Sequence, residues 1–244
     1  SMSFDDGDND DTEEIPQAIS PPQIQWETPD HTFPDNIKVI ITTSALSKAF
    51  LSVFYTQRTI LGQITLEKIQ KFSLVDSAIG GIDETKQECI GKLFSTDQGK
   101  KVLIELDGFF ENERAYEIAE LLFQNINSSH YVVLMELDAL KYISNSPSER
   151  SVAPLLRMLS SEPQETAVCP SLEAPNIIDG VAAALLSFGL IFKRRVDVFL
   201  SLVDGYQVKE ETLKTFEKVF PEENELADEV YQQVLVQMNR LQTN

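Results

Sequence analysis

The sequence predicts an α/β domain of three layers, with a mixed, mainly parallel central sheet flanked by helices. Two runs, HYVVLMEL (130–137) and RVDVFLSLV (195–203), are apolar almost throughout, the pattern of strands covered on both faces. Around them lie stretches with helical spacing: in ENERAYEIAELLFQNI (111–126), Ala115, Ile118, Ala119, Leu122 and Ile126 share one face. Strands that alternate with helices in this way build a sheet with helices on both sides.

Residues 1–36 carry ten acidic side chains, no Lys or Arg, and Pro16, Pro21, Pro22, Pro29 and Pro34. This reads as a flexible acidic leader, with Trp26 and Phe33 able to pin its last part, and residues 37–244 as a single α/β domain. The body opens with IKVIITT (37–43), a β-branched strand, followed by LSKAFLSVFY (46–55) at helical spacing. ILGQITL (60–66) alternates as a strand, and Gly80-Gly81 marks a loop in a stretch without period. CIGKLFS (89–95) and KKVLIEL (100–106) flank TDQG and predict a hairpin whose glycine takes a positive φ. After the polar loop SNSPSER (144–150), VAPLLRMLSS (152–161) reads as a short helix. KEETLKTFEKVF (209–220) and ENELADEVYQQVLVQMNRLQ (223–242) read as closing helices, the second with Leu226, Val230, Val234, Met238 and Leu241 in one stripe.

A chain of 244 residues with 42% hydrophobic composition can bury a core without disulfide or metal staples. Its net charge of -19 argues against nucleic acid as a partner, since phosphate binding needs a Lys/Arg surface. The longest mostly apolar run, VAAALLSFGLIF (181–192), is shorter than a bilayer crossing requires, so no membrane partner is expected. Nothing at the start reads as a secretion signal, and Ser1 before Met2 reads as a remnant of tag removal. Two cysteines, Cys89 and Cys169, fit a reducing compartment.

Candidate chemistry is sparse. Cys169 as a nucleophile needs a base, and the chain offers His31 in the leader and His130 at a strand start. A small buried apolar role for Cys169 outweighs catalysis. Three strand ends finish in aspartate, at Asp107, Asp138 and Asp204, where open α/β sheets bind ligands. Converging, they would suit magnesium in a phosphorylase- or phosphatase-type enzyme; each capping its own loop, they would not. Glu105 stands where the DxDG motif of aspartate-nucleophile phosphatases has its nucleophile. No phosphate loop, nucleophile elbow, dinucleotide fingerprint or zinc-binding set is present, so no cofactor is expected and binding outweighs catalysis.

CPSLEAPNIIDGVAAALLSF (169–188) sets a proline-bounded bend before a helix capped by Asn176. That helix is apolar on nearly every side and must be covered by its own domain or by a partner. Asn176, Ile177, Gly180, Ala183, Ala184 and Ser187 are the candidate partner-binding residues, the small ones allowing close approach of another backbone.

The same stretch resembles the CPxLExPNI…AAxLSY segment of the proteasome assembly chaperone 1 family. KVIITTSALSKAFLSVF (38–54) resembles that family's first strand and helix, and SPSERSVAPLLRML (146–159) its Ser/Pro loop and following helix. The three matches are collinear over about residues 37–210. The resemblance implies a non-enzymatic chaperone with a nucleoside phosphorylase-like α/β fold, in cytoplasm and nucleus. It implies a heterodimer with proteasome assembly chaperone 2 that binds 20S proteasome α subunits, promotes α-ring formation and prevents off-pathway association. The family often docks through a terminal hydrophobic-tyrosine-any-residue tail. Here Gln242, Thr243 and Asn244 hold those positions and depart from the pattern. Docking is left to these residues, to other surfaces, to the partner's tail, or to a tail missing from a truncated chain.

Overall fold

The β-branched run at residues 38–42 lies at the heart of the molecule, and its neighbours follow from the order in which the chain returns to it. The structure, a computed structural model, describes residues 20–29, 32–69, 85–107, 110, 112–144, 155–163, 168–203, 210–221 and 227–242. The acidic run 5–14, His31, Gly80-Gly81, Asp204, Thr243 and Asn244 lie outside these, as do residues 145–150 of the polar loop.

In chain order the elements are β1 (Gln23–Trp26), β2 (Lys38–Thr42), α1 (Ala45–Phe54), β3 (Thr59–Ile69), β4 (Thr85–Thr96) and β5 (Lys101–Leu106). They continue with α2 (Asn112–Asn125), β6 (His130–Asp138), β7 (Leu155–Ser160), α3 (Gly180–Phe192) and β8 (Arg195–Val203). The chain closes with α4 (Glu210–Lys214), a 3-10 turn (Thr215–Val219) and α5 (Asp228–Gln242). Among the described residues, eight strands form one sheet in the order β1-β3-β4-β5-β2-β6-β8-β7.

The core of that sheet, β5-β2-β6-β8, is parallel. β1, β3 and β4 extend one flank antiparallel, and β7 closes the other antiparallel to β8. The sheet is therefore mixed as expected, but antiparallel pairings outnumber parallel ones, and the mainly parallel description holds only for its centre. Odd-numbered residues of β2, Val39 and Ile41, face a core shared with α2 and α3. Ile40 faces a second core with α1, α4, the 3-10 turn and α5, where Phe50, Phe216, Phe220 and Tyr231 are buried. These are the three layers.

Several elements differ from the sequence reading. Residues 155–160 are strand, not helix: an edge run of apolar residues has no period that separates the two, and pairing with β8 decides it. Residues 23–26, read as part of the flexible leader, are a strand paired with β3, and Trp26 packs edge-on to Phe33 with ring centroids 5.7 Å apart. The hairpin forms, with positive φ at Gln98 as well as Gly99. The apolar stripe of α2 is buried as read. Among the described side chains of α5, Tyr231 is buried, with Val234 and Leu235 packed beside it, while Leu226 and the side chains of Met238 and Leu241 from the expected stripe lie outside the described residues.

Candidate functional site

Helix α3 begins later than its sequence suggested. Asp179, with extended backbone, is the N-cap, and Lys193 ends the helix in the left-handed region. Asn176 has a different task. Its side-chain amide accepts from the Ile143 N–H at 2.8 Å and donates to the Ile143 carbonyl at 2.8 Å and the Glu173 carbonyl at 2.7 Å. That clamp fixes the bend ahead of the helix and leaves the neighbouring Ile177 83% exposed.

The inner face of α3 carries Val181, Ala182, Ala184, Leu185 and Gly189. Gly189 is needed there, because a Cβ would lie 2.6 Å from Val196 Cγ2 and 2.9 Å from the Arg194 carbonyl of the approaching strand. Ala184, a candidate partner residue, is fully buried and is withdrawn from that role. Gly180, Ala183 and Ser187 share the opposite face, which ends in Leu190 and Ile191, 60% and 70% exposed. The Ser187 hydroxyl donates to the Ala183 carbonyl at 2.9 Å, so the one polar group of the face is already satisfied. Tyr116, Phe188 and Phe192 extend the surface toward α2, with successive ring centroids 6.3 and 5.6 Å apart. Exposed apolar side chains concentrated on one helix face mark an interaction surface. The sequence reading missed Leu190 and Ile191; the helical spacing from Ala183 and Ser187 held the signal.

Of the three strand-end aspartates, the two described ones, Asp107 and Asp138, each serve their own surroundings. Asp107 pairs with Lys48 of α1, and Asp138 accepts from the Leu140 N–H at 2.9 Å, capping its own turn. Asp107 follows β5 and Asp138 ends β6, and with β2 between them about 10 Å or more of sheet keeps them apart. Glu105 pairs with Arg58. Among the described residues no group of three or more His, Cys, Asp or Glu is placed to hold a metal ion.

At the carboxyl ends of β2 and β6, where α/β enzymes bind anions on a helix N-terminus, the chain supplies its own anion. Glu136 accepts from the Ser44 hydroxyl and, at 3.1 Å, from the Leu46 N–H in the first turn of α1. Only a cavity of about 160 Å3 remains beside it. Burial pushes the Glu136 carboxyl above the ordinary range, although hydrogen bonds from Ser44, Leu46 and Ser47 oppose the shift. Glu136→Gln keeps an acceptor and removes the charge, so in chemical denaturation it is expected to cost far less than Glu136→Ala, about 1–3 kcal/mol at pH 7. A raised folded-state value contributes stability below the unfolded value and loses it at higher pH. The Gln variant therefore gains on the wild type as pH rises above the ordinary glutamate value, near 4.5.

Cys169 lies where the chain passes β7. The Met158 N–H donates to the Pro170 carbonyl at 3.1 Å and the Leu172 N–H to the Met158 carbonyl at 2.8 Å, which covers the outer edge of β7. Burial pushes the Cys169 thiol up to about 11, against the opposing charges of Arg157 and Lys218. His130 is engaged elsewhere, with Asp197 at 2.8 Å. A protonated, half-buried thiol is a poor nucleophile. Iodoacetamide at pH 8 is expected to label the exposed Cys89 first and Cys169 only on unfolding, as read by peptide mass mapping. Equal rates would contradict this environment.

No helix among the described residues is long and apolar enough to cross a membrane. The family model PAC1, described as proteasome assembly chaperone 4, matches residues 31–244. Proteasome assembly chaperone 1 of Danio rerio is 30% identical over 99 residues, which are 39% of this chain and 36% of that protein. The match thus spans little more than a third of that relative's length. Two Pyrococcus furiosus structures share the fold. PbaA, an archaeal homolog of proteasome-assembly chaperone, has a TM-score of 0.62 at 12% identity, over 91% of this chain and 95% of PbaA. PbaB, an archaeal proteasome activator, has a TM-score of 0.59 at 12% identity, over 91% and 98%. A Mycobacterium tuberculosis proteasome-assembly chaperone homologue follows at 0.51 and 10%, over 85% and 95%. At these identities the structural likeness is one of fold, and it is the match over residues 31–244 that places the chain in the proteasome assembly chaperone family.

Proposed function

We infer that the chain acts by binding and without turnover, as one half of a heterodimer with proteasome assembly chaperone 2. In this reading the pair binds 20S proteasome α subunits, promotes α-ring formation and prevents off-pathway association. The observation that carries it is the outer face of α3, where Gly180, Ala183 and Ser187 give way to exposed Leu190 and Ile191. A face small at one end and large at the other fits a helix of a related chain, whose backbone can approach the small end while the large end enters a groove. Chaperoning by binding needs only differential affinity: the pair holds partly assembled rings better than the finished particle. The filled anion position at α1 and the separated Asp107 and Asp138 support a role without catalysis. Two free cysteines support a reducing compartment, the cytoplasm and nucleus.

Co-expression of the full chain with proteasome assembly chaperone 2 of the same organism, followed by native mass spectrometry, tests this reading. A one-to-one complex that captures α subunits is expected. A chain that stays alone beside a well-folded partner would remove the heterodimer from the account.

A further inference from the structure

We propose that the outer face of α3 is self-complementary, so that the chain alone pairs with a second copy through two antiparallel α3 helices. This pairing shares its face with the heterodimer proposed above and otherwise stands without it. Gly180, Ala183, Ser187 and Leu190 follow one another at intervals of three, four and three residues. That is the spacing of helices packed side by side at about 20°. An antiparallel pair centred on the level of Leu185 sets Leu190 of each copy over Gly180 of the other, and Ala183 over Ser187. Gly180 leaves room for this, since a Cβ built there would meet no atom within 4 Å. The Ser187 hydroxyl, already donating to the Ala183 carbonyl, brings no unsatisfied group into the contact. A parallel pair would instead set small on small and large on large, with a gap at one end and crowding at the other.

Charge gives the same direction. Asp179 and Lys193 are the two caps of α3, about 21 Å apart along its axis. Both fall on the outer stripe, Asp179 four residues before Ala183 and Lys193 three after Leu190, and both are exposed. The Asp179 side chain makes no cap hydrogen bond, and among the described residues neither side chain is held by a hydrogen bond or ion pair. Their neighbours are already engaged: Arg194 donates to the Phe123 carbonyl, Arg195 pairs with Asp197, and Glu136, across the cavity from Asp179, accepts from Ser44 and Leu46. Asp35 and Glu162 line the cleft beside Lys193. Antiparallel pairing brings each Asp179 to Lys193 of the other copy, twice by symmetry. Parallel pairing would set like charges together at both ends.

One helix face per copy is a small interface, below the roughly 800 Å2 per partner of a standard complex, so the dimer is weak and depends on concentration. While the chain is alone, self-pairing covers Leu190 and Ile191. A related chain that fits the face better takes it by mass action, so the two pairings exclude each other.

Sedimentation velocity of the full chain alone, over a range of concentrations, tests the pairing. A monomer–dimer equilibrium is expected. Asp179→Lys or Lys193→Asp alone should weaken it about tenfold, because either reversal sets like charges at both ends. An equal mixture of the two variants should recover the dimer to the wild-type level, with one chain of each, since opposite charges meet again. Thermal melts check that each variant folds, and Leu190→Asp, at an exposed position, should also shift the chain to monomer. A chain monomeric at every concentration would overturn the proposal, as would a dimer that ignores the reversals or a mixture that does not recover. A dimer that passes these tests yet ignores the proposed heterodimer partner would support the self-pairing and sink only the heterodimer.

Discussion

Asp197→Ala is expected to lower the stability of the fold by about 2–4 kcal/mol, and its melting temperature by on the order of 10 °C. The carboxylate is 1% exposed and accepts hydrogen bonds from Ser160 Oγ at 2.6 Å, His130 Nε2 at 2.8 Å and Arg195 Nε at 2.8 Å. Through them it ties β7 and β6 to β8 near the amino end of the parallel core. Alanine leaves a void in a polar, buried place and strips three donors of their acceptor. The cost falls below that of a fully buried pair, because the Arg195 side chain is 41% exposed and can turn to water. Burial alone would raise the Asp197 pKa. The hydrogen bonds from His130 and Ser160, with the charges of His130 and Arg195, win and hold it below the ordinary value. A depressed folded-state value contributes stability above the unfolded value, near 3.8, and loses it as pH falls through the folded one. The gap between wild type and Asp197→Ala, read by circular dichroism melts, should therefore be full at pH 6 and shrink below about pH 4. A gap that does not change with pH would sink the charge-based part of this account.

Much of the frame that positions these groups is legible in the sequence, for a physical reason. β8 was readable to the residue because a strand covered on both faces needs an unbroken apolar run, and RVDVFLSLV supplies one. Asp197 within that run was the warning sign of a buried, partnered carboxylate, but its partners come from strands 37 and 67 residues away in sequence. The stripe of α2 was readable because one face is buried and the other is not. α3 defeats the same method. With apolar residues all round, its periodicity does not say which side faces in; only α2 and β8 decide that Ala184 is core and Ala183 is not. Asn176 was a sound cap by type, yet the Ile143 backbone offered it both a donor and an acceptor, and the helix waited for Asp179. β7 and β1 failed for want of length, since runs of six and four residues carry too little period to name an element before their neighbours are known.

That ambiguity in α3 supplies the sharpest functional contrast, between two adjacent alanines. Ala183→Arg is expected to leave the melting temperature within a few degrees of wild type, because the side chain points away from the core and a long arginine can lie along the helix into water. Ala184→Arg is expected to abolish folding. Its Cβ is fully buried between α3 and the sheet in a cluster of apolar side chains, where a guanidinium is costly. If the outer face receives a related chain, Ala183→Arg alone should weaken that complex about 100-fold or more, as expected when a charge is driven into a close helix contact. Leu190→Asp and Ile191→Asp should do the same by removing the large end of the face, and neither touches the inner row of Val181, Ala182, Leu185 and Gly189. Titration calorimetry with the co-expressed partner, beside thermal melts of each variant, reads both quantities. A folded Ala183→Arg variant that binds as tightly as wild type would remove the outer face of α3 from the interface and move the search to Ile143 and Ile177, also exposed, beside the Asn176 clamp ahead of the helix.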